Sequence, residues 1–287
     1  MTGRRLRLGL SGVEFDICSV DVPLLDELAT IWSGFVSDAS TTPATLEVEV
    51  GSGPGSTTVG SAATKRVGFE PGVGGGGRFE LAEGHATVDA GGRRAVVCPT
   101  ERAVPERAWA VHNLLLPVLA WTFGVVRGGA LVHGATVVTG GRAYVLVGPE
   151  GSGKSTFAEH AGRGGAEVLG EDLVLLDGAD GRLEVVGAPY RVENATRRGP
   201  GRWPLAALLW PRHAAVPSIE AGPRVLAAAR MAANLPYVAA AGRADAIASR
   251  LIDAVPFQEL AFAPDPGFLE VLGSAPGRGE APADSRQ

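Results

Sequence analysis

The stretch AYVLVGPEGSGKSTFAEHAG, from Ala143 to Gly162, constrains this chain more than any other. An apolar, β-prone run enters a glycine-rich turn and then a helix start. Gly148-Pro-Glu-Gly-Ser-Gly-Lys-Ser155 satisfies G-x-x-x-x-G-K-[ST] in full. Each part has a physical job. Gly148, Glu150, Gly151, Ser152 and Gly153 form a loop whose backbone N–H groups can turn inward around a phosphate. Lys154, Ser155 and Thr156 open the helix, whose positive dipole end faces the same place. Lys154 is expected to reach the β- and γ-oxygens, and Ser155 to offer its hydroxyl to Mg²⁺.

Composition sharpens this reading. Lysine occurs only at Lys65 and Lys154, and every other fixed cation is an arginine. A compact ammonium fits between phosphate oxygens where a planar guanidinium does not. Lys65 lies in ATKRV, so no N-K-x-D element for guanine exists, and ATP is the expected nucleotide. The net charge of -5 gives no electrostatic footprint for nucleic acid or an anionic membrane. Two cysteines, Cys18 and Cys98, are too few for a disulfide framework and lack metal-ligand spacing; they read as buried thiols in a reducing compartment. The N-terminus has no secretory pattern. The long apolar run Ala108–Val126 contains His112, Asn113 and Pro117, which favours a buried helix over a membrane span. A cytoplasmic protein is expected.

The chain divides into an N-terminal α/β module (residues 1–105), a linking helix (106–127), a P-loop core (128–272) and a disordered tail (273–287). In the first part RLRLGL, VEFDICSV, TLEVEV, RFELA, ATVDA and RRAVVC read as strands, and VPLLDELATIWSGF as a helix. The glycine clusters Gly51–Gly55 and Gly72–Gly77 read as hairpin loops, since neither precedes a helix or places a lysine near a phosphate. From Gly128 the pattern is strand ALVHGATVV, turn, strand, phosphate loop, helix, strand, strand. Two helical stretches follow, RVLAAARMAANL and AGRADAIASRLIDAV, then a last strand, ELAFAP.

Phosphoryl transfer also needs a carboxylate for Mg²⁺ and a group that takes or orients the acceptor proton. EVLGEDLVLLDGADG supplies two candidates. One is the pair Glu171-Asp172. The other is Asp177, which follows four apolar residues as a Walker B acid does, although D-G-A-D-G also reads as turn chemistry, the reading preferred for Asp177.

VHGATVV, GPEGSGKST and LGEDLVLL together resemble the catalytic core of the HPr kinase/phosphorylase family and its peptide-tailoring relatives, such as those of lasso-peptide maturation. His133 precedes Lys154 by 21 residues and Glu171 follows it by 17, the spacing of that family. The resemblance covers Leu131–Leu176 well and the rest of the C-terminal half loosely. It implies an α/β fold with an HPr-kinase-like P-loop core, related to phosphoenolpyruvate carboxykinases, behind a smaller α/β module. It also implies ATP and Mg²⁺ as cofactors, Glu171 as general base, Asp172 as Mg²⁺ ligand beside Ser155, and His133 near the transferring phosphoryl group. Glu171 stands where the family has aspartate. Arg197-Arg198-Gly199-Pro200-Gly201 lies where the family has an R-G-x-G loop, without its apolar flanks; Arg191 and Arg198 are expected phosphate or acceptor contacts. The expected acceptor is a serine-type hydroxyl on a small protein or precursor peptide, met by the N-terminal module, in a chain that can self-associate. The alternatives are a kinase of free serine, a nucleotide-binding regulatory module without transfer, and an ATPase using Asp177.

Overall fold

A computed structural model describes residues 3–37, 43–51, 67–100, 104–189, 196 and 199–274. Among them are six α-helices and two β-sheets.

Alternating apolar residues build the first sheet. Strands β1 (Arg4–Gly9) and β2 (Glu14–Ser19) form a hairpin that buries Leu6, Leu8, Phe15 and Ile17. Helix α1 (Val22–Ile31) starts where the Asp21 carboxylate accepts the Leu24 N–H at 3.1 Å, satisfying a donor the helix cannot. Strands β3 (Leu46–Val50), β4 (Gly68–Pro71), β5 (Gly77–Leu81), β6 (Gly84–Val88) and β7 (Arg94–Pro99) complete the sheet in the order β1-β2-β3-β7-β6-β5-β4. The cluster Gly72–Gly77 closes the β4–β5 hairpin, with the Gly72 N–H donating to the Gly76 carbonyl at 2.9 Å. The other cluster lies, beyond Gly51, outside the described residues.

Helix α2 (Val104–Trp121) continues into a π-helical turn, Thr122–Val126. It does more than link the halves. It packs on α1, β6 and β7, so it belongs to the N-terminal core. Val104–Val126 is long and apolar enough to cross a membrane, yet most of it is buried within the protein. The Trp32 indole N–H donates to His112 Nδ1 at 2.8 Å and ties α1 to α2. Burial there pushes the His112 pKa down to about 4. Of the two thiols, Cys98 is buried and Cys18 only half-buried.

The C-terminal half comprises β8 (Ala130–Thr139), β9 (Arg142–Val147), α3 (Lys154–Arg163), β10 (Glu167–Gly170), β11 (Leu173–Asp177), β12 (Glu184–Val186), β13 (Arg202–His213), β14 (Ser218–Ala221), α4 (Arg224–Ala232), α5 (Ala244–Ala254), β15 (Phe257–Phe262) and α6 (Phe268–Ser274). β8 and β9 join through Gly140 and Gly141 at φ +57° and +72°, the left-handed backbone that a tight two-residue hairpin turn needs. β8 and β13 are long and change partners midway. Their first halves pair with β11 and β12, and their second halves with β9, so the pairing runs round a ring. One apolar core runs without a break from Leu6 to Phe257, through both halves. A second core lies between the sheet, α3 and α6, where the rings of Phe157, Phe262 and Phe268 meet at 4.9–6.0 Å.

Five elements escape the sequence reading: β4, β12, β13, β14 and α6. β13 is masked by Pro204 and Pro211. Pro204 is the last residue paired to β12, and Pro211 lies past the last residue paired to β9. Pro204 thus ends the β12 ladder, and Pro211 lies beyond the β9 ladder while staying opposite Leu260 of β15; a missing N–H does least damage where one side of a strand has no ladder. α6 runs through Ser274, inside the segment expected as tail, and residues 275–287 are outside the described ones.

Candidate active site

The phosphate loop leaves β9 at Val147 and enters α3 at Lys154. Gly151 and Gly153 have φ of +75° and +97°, accessible to glycine without a Cβ clash. Gly153 caps α3 with no side-chain hydrogen bond, so the first N–H groups of the helix stay open to an external acceptor. A Cβ on Gly148 would lie 2.6 Å from Ser152 Oγ, a buried hydroxyl without a hydrogen-bond partner among the described residues. Glu150, Gly151 and Ser155 are exposed, and Thr156 is half-buried. Lys154 is buried, and its ammonium donates to the Gly148 and Pro149 carbonyls, each at 2.8 Å. Burial lowers its pKa, against the opposing pull of the Asp172 and Glu150 carboxylates. Asp172 therefore acts electrostatically on the loop lysine.

The partner exchange of β8 explains that proximity. His133 is the last β8 residue paired to β11, opposite Leu173, and Gly134 is the first paired to β9, opposite Val147. The His-Gly step thus touches the start of β11 on one side and the root of the phosphate loop on the other. The Gly134 N–H donates to the Asp172 carbonyl at 3.1 Å, and His133 Nε2 lies 3.2 Å from Asp172 Oδ1. A Cβ on Gly134 would come within 2.9 Å of the Leu146 carbonyl, so glycine is required at this crossing. Glu171 is half-buried and Asp172 exposed in the short connection between β10 and β11. Loop, lysine, histidine and acidic pair converge at one end of the ring.

Asp177 differs from its expected role as a turn residue. It ends β11, wholly buried, and accepts Arg127 Nε at 3.0 Å, Arg127 Nη2 at 2.7 Å and Arg202 Nη2 at 2.9 Å. Only the Ala179 N–H, at 3.3 Å, reflects turn chemistry. Burial pushes its carboxyl up, but the two guanidiniums and that amide outweigh it and hold the group below the usual carboxylate range. Five residues of extended strand put Asp177 about 16 Å from Asp172. It is the hub of a clasp: Arg202 also grips Glu184 at 2.7 Å and donates to the Ser11 carbonyl in the β1–β2 turn at 3.1 Å. Of the two candidate acids, Asp172 is the one beside the phosphate loop.

Lys65, Arg191, Arg197 and Arg198 lie outside the described residues. The fold adds residues that no motif marks. The Asn234 carbonyl accepts the His133 N–H at 2.8 Å, and the following loop carries Tyr237. Asn-Leu-Pro-Tyr-Val has no signature in sequence; only the approach of this loop to β8 shows its place.

No protein-family model matches the chain, and no curated protein matches its sequence. Among solved structures the chain is similar to the Hpr(Ser) kinase/phosphatase from Coxiella burnetii, at 10% identity. That match covers 46% of this chain and 84% of the other, with a TM-score of 0.26. A likeness this slight carries no weight for function, which must be read from the residues themselves.

Proposed function

We propose that this protein is an ATP- and Mg²⁺-dependent kinase that transfers the γ-phosphoryl group to a serine-type hydroxyl on a small protein or peptide. The observation that supports this most is the crossing at His133-Gly134, which brings the acidic pair that precedes β11 to the root of a complete phosphate loop.

The residues present suit a nucleoside triphosphate. The loop offers uncapped helix N–H groups, and Lys154 occupies itself with carbonyl oxygens that phosphate oxygens can replace. Among the described residues no three His, Cys, Asp or Glu side chains form a self-sufficient metal cage. That suits Mg²⁺, which is usually held by one or two carboxylates together with substrate phosphates. Ser155 and Asp172 would hold it, and when bound it would neutralise charge on the β- and γ-oxygens.

The chain's own groups have separable tasks. Lys154 and the loop amides stabilise charge on the phosphoryl group in transfer. Glu171, one residue before Asp172, takes the proton of the attacking hydroxyl, and its longer side chain extends the reach of that carboxylate. His133 orients Asp172. Asp177, locked between two arginines, is unsuited to serve as the acid of an ATPase.

The test is incubation of the pure protein with γ-labelled ATP, Mg²⁺, serine peptides and free serine. Label in phosphoserine is the expected result. Release of free phosphate alone, or tight ATP binding with no turnover, defeats the proposal.

A further inference from the structure

Two non-glycine residues among those described have a left-handed backbone: Ser11 in the β1–β2 turn, and Tyr237 at φ +66°. An aromatic residue adopts this conformation only when its surroundings impose it. The surroundings here are specific. The Val238 N–H donates to the Pro236 carbonyl at 2.8 Å, closing a three-residue turn with Tyr237 at its apex. Just upstream, buried Asn234 moors the loop twice. Its carbonyl accepts the His133 N–H, and its side-chain amide donates to the Arg230 carbonyl at 2.7 Å. The Tyr237 ring is half-buried against the main core, while its hydroxyl has no hydrogen-bond partner among the described residues. Burial, then the charge of Glu83, then that of Asp172 raise its pKa, so the phenol stays a neutral donor. Glu83 belongs to the β5–β6 turn of the N-terminal sheet, where the Asn113 amide on α2 holds it at 3.3 Å. Through Asn234 the loop that carries Tyr237 is tied to His133, whose Nε2 lies 3.2 Å from Asp172 Oδ1.

We propose that Tyr237 is an acceptor-positioning residue: held on the loop that is moored to His133, it donates a hydrogen bond from its hydroxyl to the acceptor. This rests on the kinase reading above. The tight turn aims the ring, the His133 contact fixes the loop to the strand that carries the site, and the unspent donor supplies the contact. Water, which needs no positioning, remains able to accept phosphate at a background rate without Tyr237.

The test uses the full chain, saturating Mg-ATP, and two probes: free L-serine and a degenerate library of serine heptapeptides. Tyr237→Phe keeps the ring and removes the donor. It lowers kcat/KM for the phosphorylated probe about tenfold, mainly through KM, the scale of one neutral hydrogen bond. Tyr237→Gly accepts the left-handed backbone freely and loses on the order of a hundredfold through misplaced acceptor. In both variants ATP affinity and background hydrolysis stay within about twofold of the parent, the uniform-binding terms being untouched. Wild-type transfer by both variants overturns the proposal. So does a parallel fall of ATP affinity, hydrolysis and transfer, which marks a purely structural ring. A parent protein that binds Mg-ATP yet labels neither probe defeats the kinase reading itself, and this inference with it; that outcome is recognised by the parent's silence rather than by any difference between variants.

Discussion

Asp177→Asn separates the structural acid from the catalytic one. The substitution keeps the shape and one acceptor oxygen but removes the charge that faces Arg127 and Arg202 in a fully buried site. Arg202 retains Glu184. Among the described residues, Arg127 has no other ion pair, only the Phe123 ring 5.6 Å away. Removing one partner of a buried pair costs about 3–5 kcal/mol; the retained acceptor and the second partner of Arg202 argue for the lower end, about 3 kcal/mol. In urea, with an m-value of about 3 kcal/mol/M, the unfolding midpoint falls by about 1 M. Phosphoryl transfer, assayed well below that midpoint, stays within a few-fold, because Asp177 is about 16 Å along the strand from Asp172. The pH dependence has a definite sign. The folded pKa lies below the unfolded value of about 3.8, so the clasp stabilises fully above that pH and its contribution is lost as pH falls through the folded value. Asp172→Asn does the reverse: its exposed side chain makes the stability change small, within about 0.5 kcal/mol, while transfer collapses. An Asp177→Asn protein with an unchanged midpoint and no transfer refutes this assignment.

Three further outcomes follow from the structure. Lys154→Met removes the ammonium from the phosphate loop and weakens ATP binding by about 30- to 100-fold, read with a fluorescent ATP analogue, while the melting temperature holds; unchanged affinity contradicts the loop's role. His112 is buried with a pKa of about 4 against 6.5 unfolded, so stability falls as pH drops from 6.5 towards 4, by up to about 3 kcal/mol. Urea midpoints from pH 7.5 to 4.5 show a steeper loss for the parent than for His112→Gln, and parallel curves would contradict it. Phe157→Ala opens a cavity beneath α3 between Phe262 and Phe268 and costs about 3–5 kcal/mol, or roughly 10 °C in melting temperature for a chain of this size; a shift below about 2 °C means the second core collapses to fill the gap.

The contiguous part of the site was legible in sequence because its chemistry is local. A strand, a glycine loop and a lysine-led helix must be neighbours along the chain, and β9, the loop and α3 follow the reading of Ala143–Gly162. The alternation in RLRLGL and VEFDICSV likewise gives β1 and β2. What escaped depends on distant partners. Asp177 has a turn-like neighbourhood in sequence, and only Arg127, 50 residues before it, and Arg202, 25 after, make it a buried hub. Pro204 and Pro211 hid β13, since their tolerance depends on where the β12 and β9 ladders end. Tyr237 carries no motif because its position is set by a turn and by the His133 backbone. The helix Ala108–Val126 was read correctly as buried, but its surface alone did not say which sheet it covers.

Transfer differs from hydrolysis and from mere binding in where the γ-phosphoryl group ends up. Parent and Asp172→Asn proteins are incubated with γ-labelled ATP, Mg²⁺ and serine peptides, and the labelled products are separated. Phosphoserine is expected from the parent and none from Asp172→Asn, with ATP still bound by both. Label confined to free phosphate in the parent, or equal phosphoserine from both proteins, would contradict transfer that depends on Asp172.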